Sequence, residues 1–148
     1  NRFDCSGFTQ YIFNHFSYSL NASSASQYLQ GISVKDEEIC RGDLVFFKGR
    51  NSRRSNVGHV GLVTEAYPDG RFKFIHASTS QGIREDWNFS PYYAQRYVGA
   101  RRIYFVQIDK RLILDAILEL EDIDDNTPFT ETEKSITPQE FSTFVRAE

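Results

Sequence analysis

The feature that most constrains how this chain can fold is an ordered set of three short motifs. They are Asp4-Cys5-Ser6-Gly7-Phe8 near the start, Gly58-His59-Val60-Gly61 after a long gap, and Ile75-His76-Ala77-Ser78 soon afterwards. The first opens a segment with helical spacing, and the other two lie in segments with strand-like composition. A fold that uses all three must set a helix start against a sheet.

Local patterning supports both halves of that requirement. Between Cys5 and Phe16, the residues Phe8, Ile12 and Phe16 share one helical stripe, with Tyr11 and His15 beside it, and Asp4 is suited to an N-cap. A buried helix with Cys5 in its first turn is expected. Residues 21–30 are rich in Ser and Ala and read as a short helix or loop ended by Gly31. Residues 43–48 contain the apolar run Leu44-Val45-Phe46-Phe47, and residues 57–67 and 71–77 are two further strand candidates joined by the turn Pro68-Asp69-Gly70. Val98, Ile103, Phe105, Val106 and Ile108 mark a last strand across residues 97–108. A helix followed by antiparallel strands makes the expected class α+β.

At 148 residues, with 40% hydrophobic and 15% aromatic content, the chain can bury one sizeable core. No stretch approaches the roughly 18 apolar residues of a membrane span, and no charged, apolar leader opens the chain. Starting at Asn1 without any methionine, it reads as a processed form or a fragment. Charge divides it in two: residues 1–105 hold 13 Lys+Arg and 9 Asp+Glu, net +4, whereas residues 106–148 hold 4 and 11, net −7. The expected organisation is a domain over residues 1–108 and an acidic, partly helical extension over 109–148. In that extension, residues 112–120 read as a helix, and Thr137-Pro138-Gln139-Glu140 fits a capping box that opens another. The basic residues of the body form only short clusters, such as Arg50 to Arg54 and Arg101-Arg102, too few to indicate nucleic-acid binding.

The chemistry follows from the residue types. A thiol is mostly protonated at neutral pH, and a helix N-terminus or an imidazolium neighbour favours the nucleophilic thiolate. Cys5 has the helix start by position. Backbone N–H groups there can also hold the oxyanion formed when sulfur attacks an amide carbonyl, and small Ser6 and Gly7 leave that surface open. His59, between small neighbours, is the candidate base and proton donor, and His76 is the candidate group that orients it. The second cysteine, Cys40, permits a disulfide with Cys5, but pairing would consume the nucleophile, so two free thiols are expected.

Strand register decides whether the histidines can meet. A two-residue loop at Pro68-Asp69 would set residue 76 opposite residue 61, with His59 on the same face and roughly 7 to 8 Å away along the diagonal. A three-residue loop including Gly70 would put the histidines on opposite faces unless a bulge intervenes. Blander readings exist for each residue. A cysteine at a helix start is most often a small buried hydrophobe, and His15 reads as an ordinary packed or surface histidine. Zinc on Cys5, His59 and His76 would have only three ligands and no closely spaced pair.

In combination, Phe3-Asp4-Cys5-Ser6-Gly7-Phe8, Gly42-Asp43-Leu44-Val45-Phe46-Phe47, Gly58-His59-Val60-Gly61-Leu62-Val63 and Ile75-His76-Ala77-Ser78 resemble, in this order, the NlpC-type cell-wall peptidases. The resemblance covers about residues 3–104. It implies a papain-like α+β domain in which the N-terminal helix carrying Cys5 packs on an antiparallel sheet carrying the histidines. It further implies that Cys5 is the nucleophile, His59 the base and His76 the orienting residue. Asp4 and Ser6 are implied to receive substrate, the acid facing a free amino group and the hydroxyl donating or accepting a hydrogen bond. The implied substrate is the stem peptide of peptidoglycan, cut between γ-linked D-glutamate and the following diamino acid, with no metal or organic cofactor.

Such a substrate places the activity in the cell envelope or outside the cell. The family carries a further segment upstream of the cysteine, with a tyrosine near the oxyanion site, whereas this chain has four residues there. Two rival functions remain at this stage: a related Cys/His amidase or acyltransferase, and a module that only binds wall peptide.

Overall fold

The computed structural model describes residues 4–103, together with positions 115 and 118. Its first element is helix α1, Cys5–Asn14, capped by Asp4, whose Oδ1 accepts a 2.7 Å hydrogen bond from the Gly7 amide. Phe8 and Ile12 of the expected stripe are buried together with Phe13, whereas Phe16 lies past the end of the helix and is half-buried. Cys5 sits in the first turn, as its place after a capping aspartate requires. A one-turn helix α2, Ser24–Gln27, is closed by the Ser23/Ser26 capping box.

Six strands follow: β1 Ile32–Val34, β2 Leu44–Lys48, β3 Val57–Ala66, β4 Phe72–Ser78, β5 Gly82–Trp87 and β6 Tyr97–Arg102. They form one antiparallel sheet in the order β1-β6-β2-β3-β4-β5. A short helix α3, Pro91–Ala94, links β5 to β6. Two strands, β1 and β5, were not expected from sequence, since β1 is three residues long and β5 holds the charged run Arg84-Glu85-Asp86. The final strand is described only as far as Arg102, and residues 104–108 of its expected span lie outside the described residues. So does nearly all of the acidic extension, including the expected helix start at Thr137, although Asp115 and Leu118 are helical and exposed.

Strand β2 is buried on both faces, which explains its unbroken apolar run. Leu44 and Phe46 pack with Phe8, Ile12, Phe13, Val60, Leu62 and Ile75 beneath α1. Val45 and Phe47 join Val63, Phe72, Phe74 and Ala100 on the other face. Each buried phenylalanine contributes roughly 1.5 to 3 kcal/mol of transfer free energy, so the two clusters clamp the central strands from both sides.

The β3–β4 hairpin has the three-residue loop, and a bulge restores the register that a two-residue loop would have given. Tyr67 and Arg71 pair across the loop, and Gly70 has φ +93°, the left-handed conformation that suits glycine at this point. Glu65 faces Lys73 and Ala66 faces Phe72, but beyond a bulge at Thr64 the register moves, so that Val63 faces Phe74 and Leu62 faces Ile75. The extra residue is held on both sides, its hydroxyl donating to the Glu85 carboxylate and its carbonyl accepting from Arg41 Nε at 2.9 Å. One more step along the shifted register brings Gly61 opposite His76 and returns His59 to the face of His76.

Gly61 is required by this approach. A Cβ at position 61 would lie 2.7 Å from Phe74 Cδ2, 3.2 Å from the Ile75 carbonyl oxygen and 3.3 Å from His76 Cβ. Overpacking of this kind costs about 1 to 3 kcal/mol. Gly61→Ala is therefore expected to lower the unfolding midpoint and displace His76; a variant with an unchanged midpoint would contradict the close approach.

Candidate active site

The site is assembled from the start of α1 and the adjoining ends of three strands. From α1, Cys5 Sγ lies 4.0 Å from the carbonyl oxygen of Gly58, the residue before His59. The amide of Val60, the residue after His59, also favours the thiolate, as do those of Cys5 and Ser6. The sulfur therefore sits against the two peptide groups that flank His59. From β3 and β4, His59 Nε2 lies 2.8 Å from His76 Nδ1, with the rings perpendicular at 89°. From β5, Asp86 Oδ2 lies 2.8 Å from His76 Nε2.

Packing fixes the two imidazoles to different degrees. His76 is fully buried between Phe74 and Tyr93, at ring centroid distances of 4.8 and 5.4 Å. His59 keeps an exposed edge, and Phe47 and Tyr93 pack on it at 6.2 and 6.3 Å. An open cleft of about 780 Å³ lies over His59, walled by Phe47, Arg50, Ser78, Arg84 and Tyr92 among others. Cys5 is not part of that wall.

The electrostatics favour neutral partners at rest. Burial pushes the Cys5 thiol up, with the Asp4 carboxylate adding to the rise, and these outweigh the three amides that would lower it. Burial, reinforced by His76, brings His59 down to about 3, against a smaller opposing pull from Asp86. Burial also lowers His76 despite its bond to Asp86. The helix start therefore does not by itself make a resting thiolate here; desolvation of a half-buried sulfur is the larger effect.

The low His59 value has a consequence for stability. Above about pH 6.5 the imidazole is neutral both folded and unfolded, and contributes nothing to the pH dependence. As pH falls from 6.5 towards 3, the unfolded chain takes up a proton that the native site refuses, so stability is lost. Allowing for the exposed edge of the ring, the loss is on the order of 2 to 4 kcal/mol. Denaturant unfolding at pH 7 and pH 4 is expected to show a larger acid loss for the native chain than for His59→Gln, and equal losses would contradict it.

The structure sets Cys5 against the peptide groups that flank His59, and His59 against His76. Asp4 is exposed and acts as the N-cap. Ser6 is 5% exposed, and its carbonyl accepts from Thr9 Oγ1 at 3.0 Å and Gln27 Nε2 at 3.1 Å, which fastens the first turn of α1 to α2. Cys5 and Cys40 are both free thiols. Asp86 was missed in the sequence. Its signal was weak but present: Arg84 and Asp86 alternate on one face of a strand that pairs His76 with Arg84.

A helix-borne thiol set against an antiparallel sheet that carries a linked pair of imidazoles defines a class of α+β domain. Within that class, the chain belongs to the NlpC/P60 family, whose sequence profile matches residues 1–102. It is 38% identical over 101 residues to a "Probable endopeptidase" of Haemophilus influenzae, covering 68% of this chain and 58% of that protein. It is likewise 38% identical over 101 residues to the Escherichia coli "Murein DD-endopeptidase MepS/Murein LD-carboxypeptidase", covering 68% and 49%. A "Gamma-DL-glutamyl hydrolase" of Bacillus subtilis is 35% identical over 102 residues, covering 68% and 24%.

Among solved structures, a NlpC/P60 family protein from Bacillus cereus is similar with a TM-score of 0.57 and 32% identity, over 68% of this chain and 31% of that one. The chain thus spans about half the length of the first two relatives. Among the described residues, no helix is long and apolar enough to cross a membrane.

Proposed function

We propose that this chain is a cell-wall cysteine endopeptidase that hydrolyses peptidoglycan stem peptides at the bond between γ-linked D-glutamate and the following diamino acid. The observation that carries this reading is the 2.8 Å contact of His59 with His76, beside a Cys5 sulfur held against the Gly58 carbonyl at the start of α1. Relatives named murein DD-endopeptidase and gamma-DL-glutamyl hydrolase support the substrate class. The activity would lie in the cell envelope, where such peptides are found.

In this mechanism Cys5 Sγ attacks the γ-glutamyl carbonyl carbon as its proton passes to His59. A carbon–sulfur bond forms, and the carbonyl oxygen becomes an oxyanion facing the amides at the start of α1. Collapse breaks the carbon–nitrogen bond, and His59 returns the proton to the departing amine. Water then attacks the thioester, with His59 taking its proton, and releases the γ-carboxylic acid and the thiol. Asp4, beyond its capping bond, would offer a carboxylate to a free amino group of the peptide, and Ser6 would contribute its hydroxyl. The chemistry requires no metal or organic cofactor.

The reading is tested by mass spectrometry of muropeptides and free stem peptides incubated with the chain. Cleavage after γ-D-glutamate is expected. Release of an intact stem peptide from glycan would indicate the amidase rival, and transfer of the acyl group to an added amine in preference to water would indicate an acyltransferase. Saturable binding without any product would indicate a module that only recognises wall peptide.

A further inference from the structure

We propose that Asp86 is a positioning residue that selects, through His76, the tautomer of His59 able to take the thiol proton. The inference rests on the reading above that His59 is the base, and it follows from counting protons along one line of atoms. Asp86 is 4% exposed, lies on β5 diagonal to His76, and has Oδ2 at 2.8 Å from His76 Nε2. A carboxylate only accepts, so the proton in that contact belongs to His76 Nε2. A neutral imidazole has a single N–H, which leaves His76 Nδ1 as a bare acceptor. The contact of 2.8 Å between His76 Nδ1 and His59 Nε2 then places its proton on His59 Nε2. His59 Nδ1 is left with a free lone pair, the form a general base requires.

Three surroundings hold His76 neutral. The ring is fully buried, and desolvation opposes its charge. Arg84 binds the same carboxylate, with Nε 2.9 Å from Oδ2 and Nη2 3.1 Å from Oδ1, so the charge of Asp86 is compensated before it can draw a second proton onto the imidazole. The Tyr93 ring packs against that imidazole at a centroid distance of 5.4 Å. A protonated His76 would carry hydrogen on Nδ1, which would force His59 Nε2 to accept and move the His59 proton to Nδ1, where it blocks proton transfer from sulfur. The alternative role for Asp86, a buried ion pair that only anchors β5, predicts no such dependence.

The two roles separate in the ring-nitrogen spectrum. In chain labelled with ¹⁵N-histidine at neutral pH, long-range ¹H–¹⁵N correlations are expected to show both His59 and His76 protonated on Nε2. Asp86→Asn can donate to His76 Nε2, so both rings are expected to change to the Nδ1-protonated form. Turnover of stem peptide should then fall roughly 10²- to 10⁴-fold in kcat with little change in KM. The wild-type spectrum decides the matter even if the variant fails to fold: hydrogen on His59 Nδ1 in the native chain would overturn the proposal. A folded Asp86→Asn that keeps both tautomers would also overturn it. Because the tautomers are read without substrate, absence of cleavage by the native chain would count against the proposed function and leave this result standing on its own.

Discussion

Cys5→Ala is expected to abolish stem-peptide hydrolysis, lowering kcat by roughly 10⁴-fold or more, while the domain stays folded. On the proposed mechanism the loss is large because nucleophile, base and the groups that orient the base act as a unit, and removing the nucleophile forfeits nearly all that the unit supplies. Folding should survive for a local reason. The start of α1 is held by the Asp4 cap on Gly7, by the bonds of Thr9 and Gln27 to the Ser6 carbonyl, and by buried Phe8, none of which involves the sulfur. Product formation and the unfolding midpoint, measured on the same preparation, check both parts. A folded Cys5→Ala with native turnover would refute the mechanism.

The second large effect is a crossing of activity and stability between the two histidines. His59→Ala removes the proposed base and is expected to cut kcat/KM by roughly 10³-fold or more. It should cost less stability near neutral pH than His76→Ala, since the His59 ring already has an exposed edge. His76→Ala removes a group proposed to act through His59, and a loss of roughly 10- to 100-fold is expected. That substitution empties a fully buried site and strips the Asp86–Arg84 pair of its third member, so it should destabilise the fold by about 2 to 4 kcal/mol. Kinetics and denaturant unfolding on both variants would therefore rank them in opposite orders. The same ranking in both measurements would mean that His76 carries chemistry directly or that His59 is structural.

Much of this architecture is written locally. Asp4 before Cys5 is a cap before a helix, the stripe of Phe8 and Ile12 gives its buried face, and Leu44-Val45-Phe46-Phe47 gives a strand covered on both sides. Four motifs in order carry the family resemblance, in agreement with the profile match over residues 1–102. Pairing between strands is less legible. The bulge at Thr64 is what returns His59 to the face of His76 after a three-residue loop, and it depends on Glu85 and Arg41, distant in sequence, which hold the extra residue in place. No short-range pattern signals that arrangement.

Asp86 escaped for a related reason. Arg84-Glu85-Asp86 has the composition of a solvated run, and only pairing with β4 sets Asp86 in the interior and half-buries its two neighbours. The resting charge of the thiol was also beyond the sequence, because a helix start argues for a thiolate and only the packed structure shows how much water the sulfur loses. Substrate reception by Asp4 and Ser6 rests on the family resemblance, and the observed bonds give each of them a structural duty in α1 as well.

The central claim, that the Cys5 sulfur attacks a γ-glutamyl carbonyl in concert with His59, is tested most directly with a stem-peptide analogue carrying a chloromethyl ketone at that carbonyl. Peptide mapping after incubation is predicted to find one adduct per chain, on Cys5 and not on the exposed Cys40, formed much more slowly in His59→Ala. Modification of Cys40 in preference to Cys5, or labelling of Cys5 at the same rate with and without His59, would contradict the account.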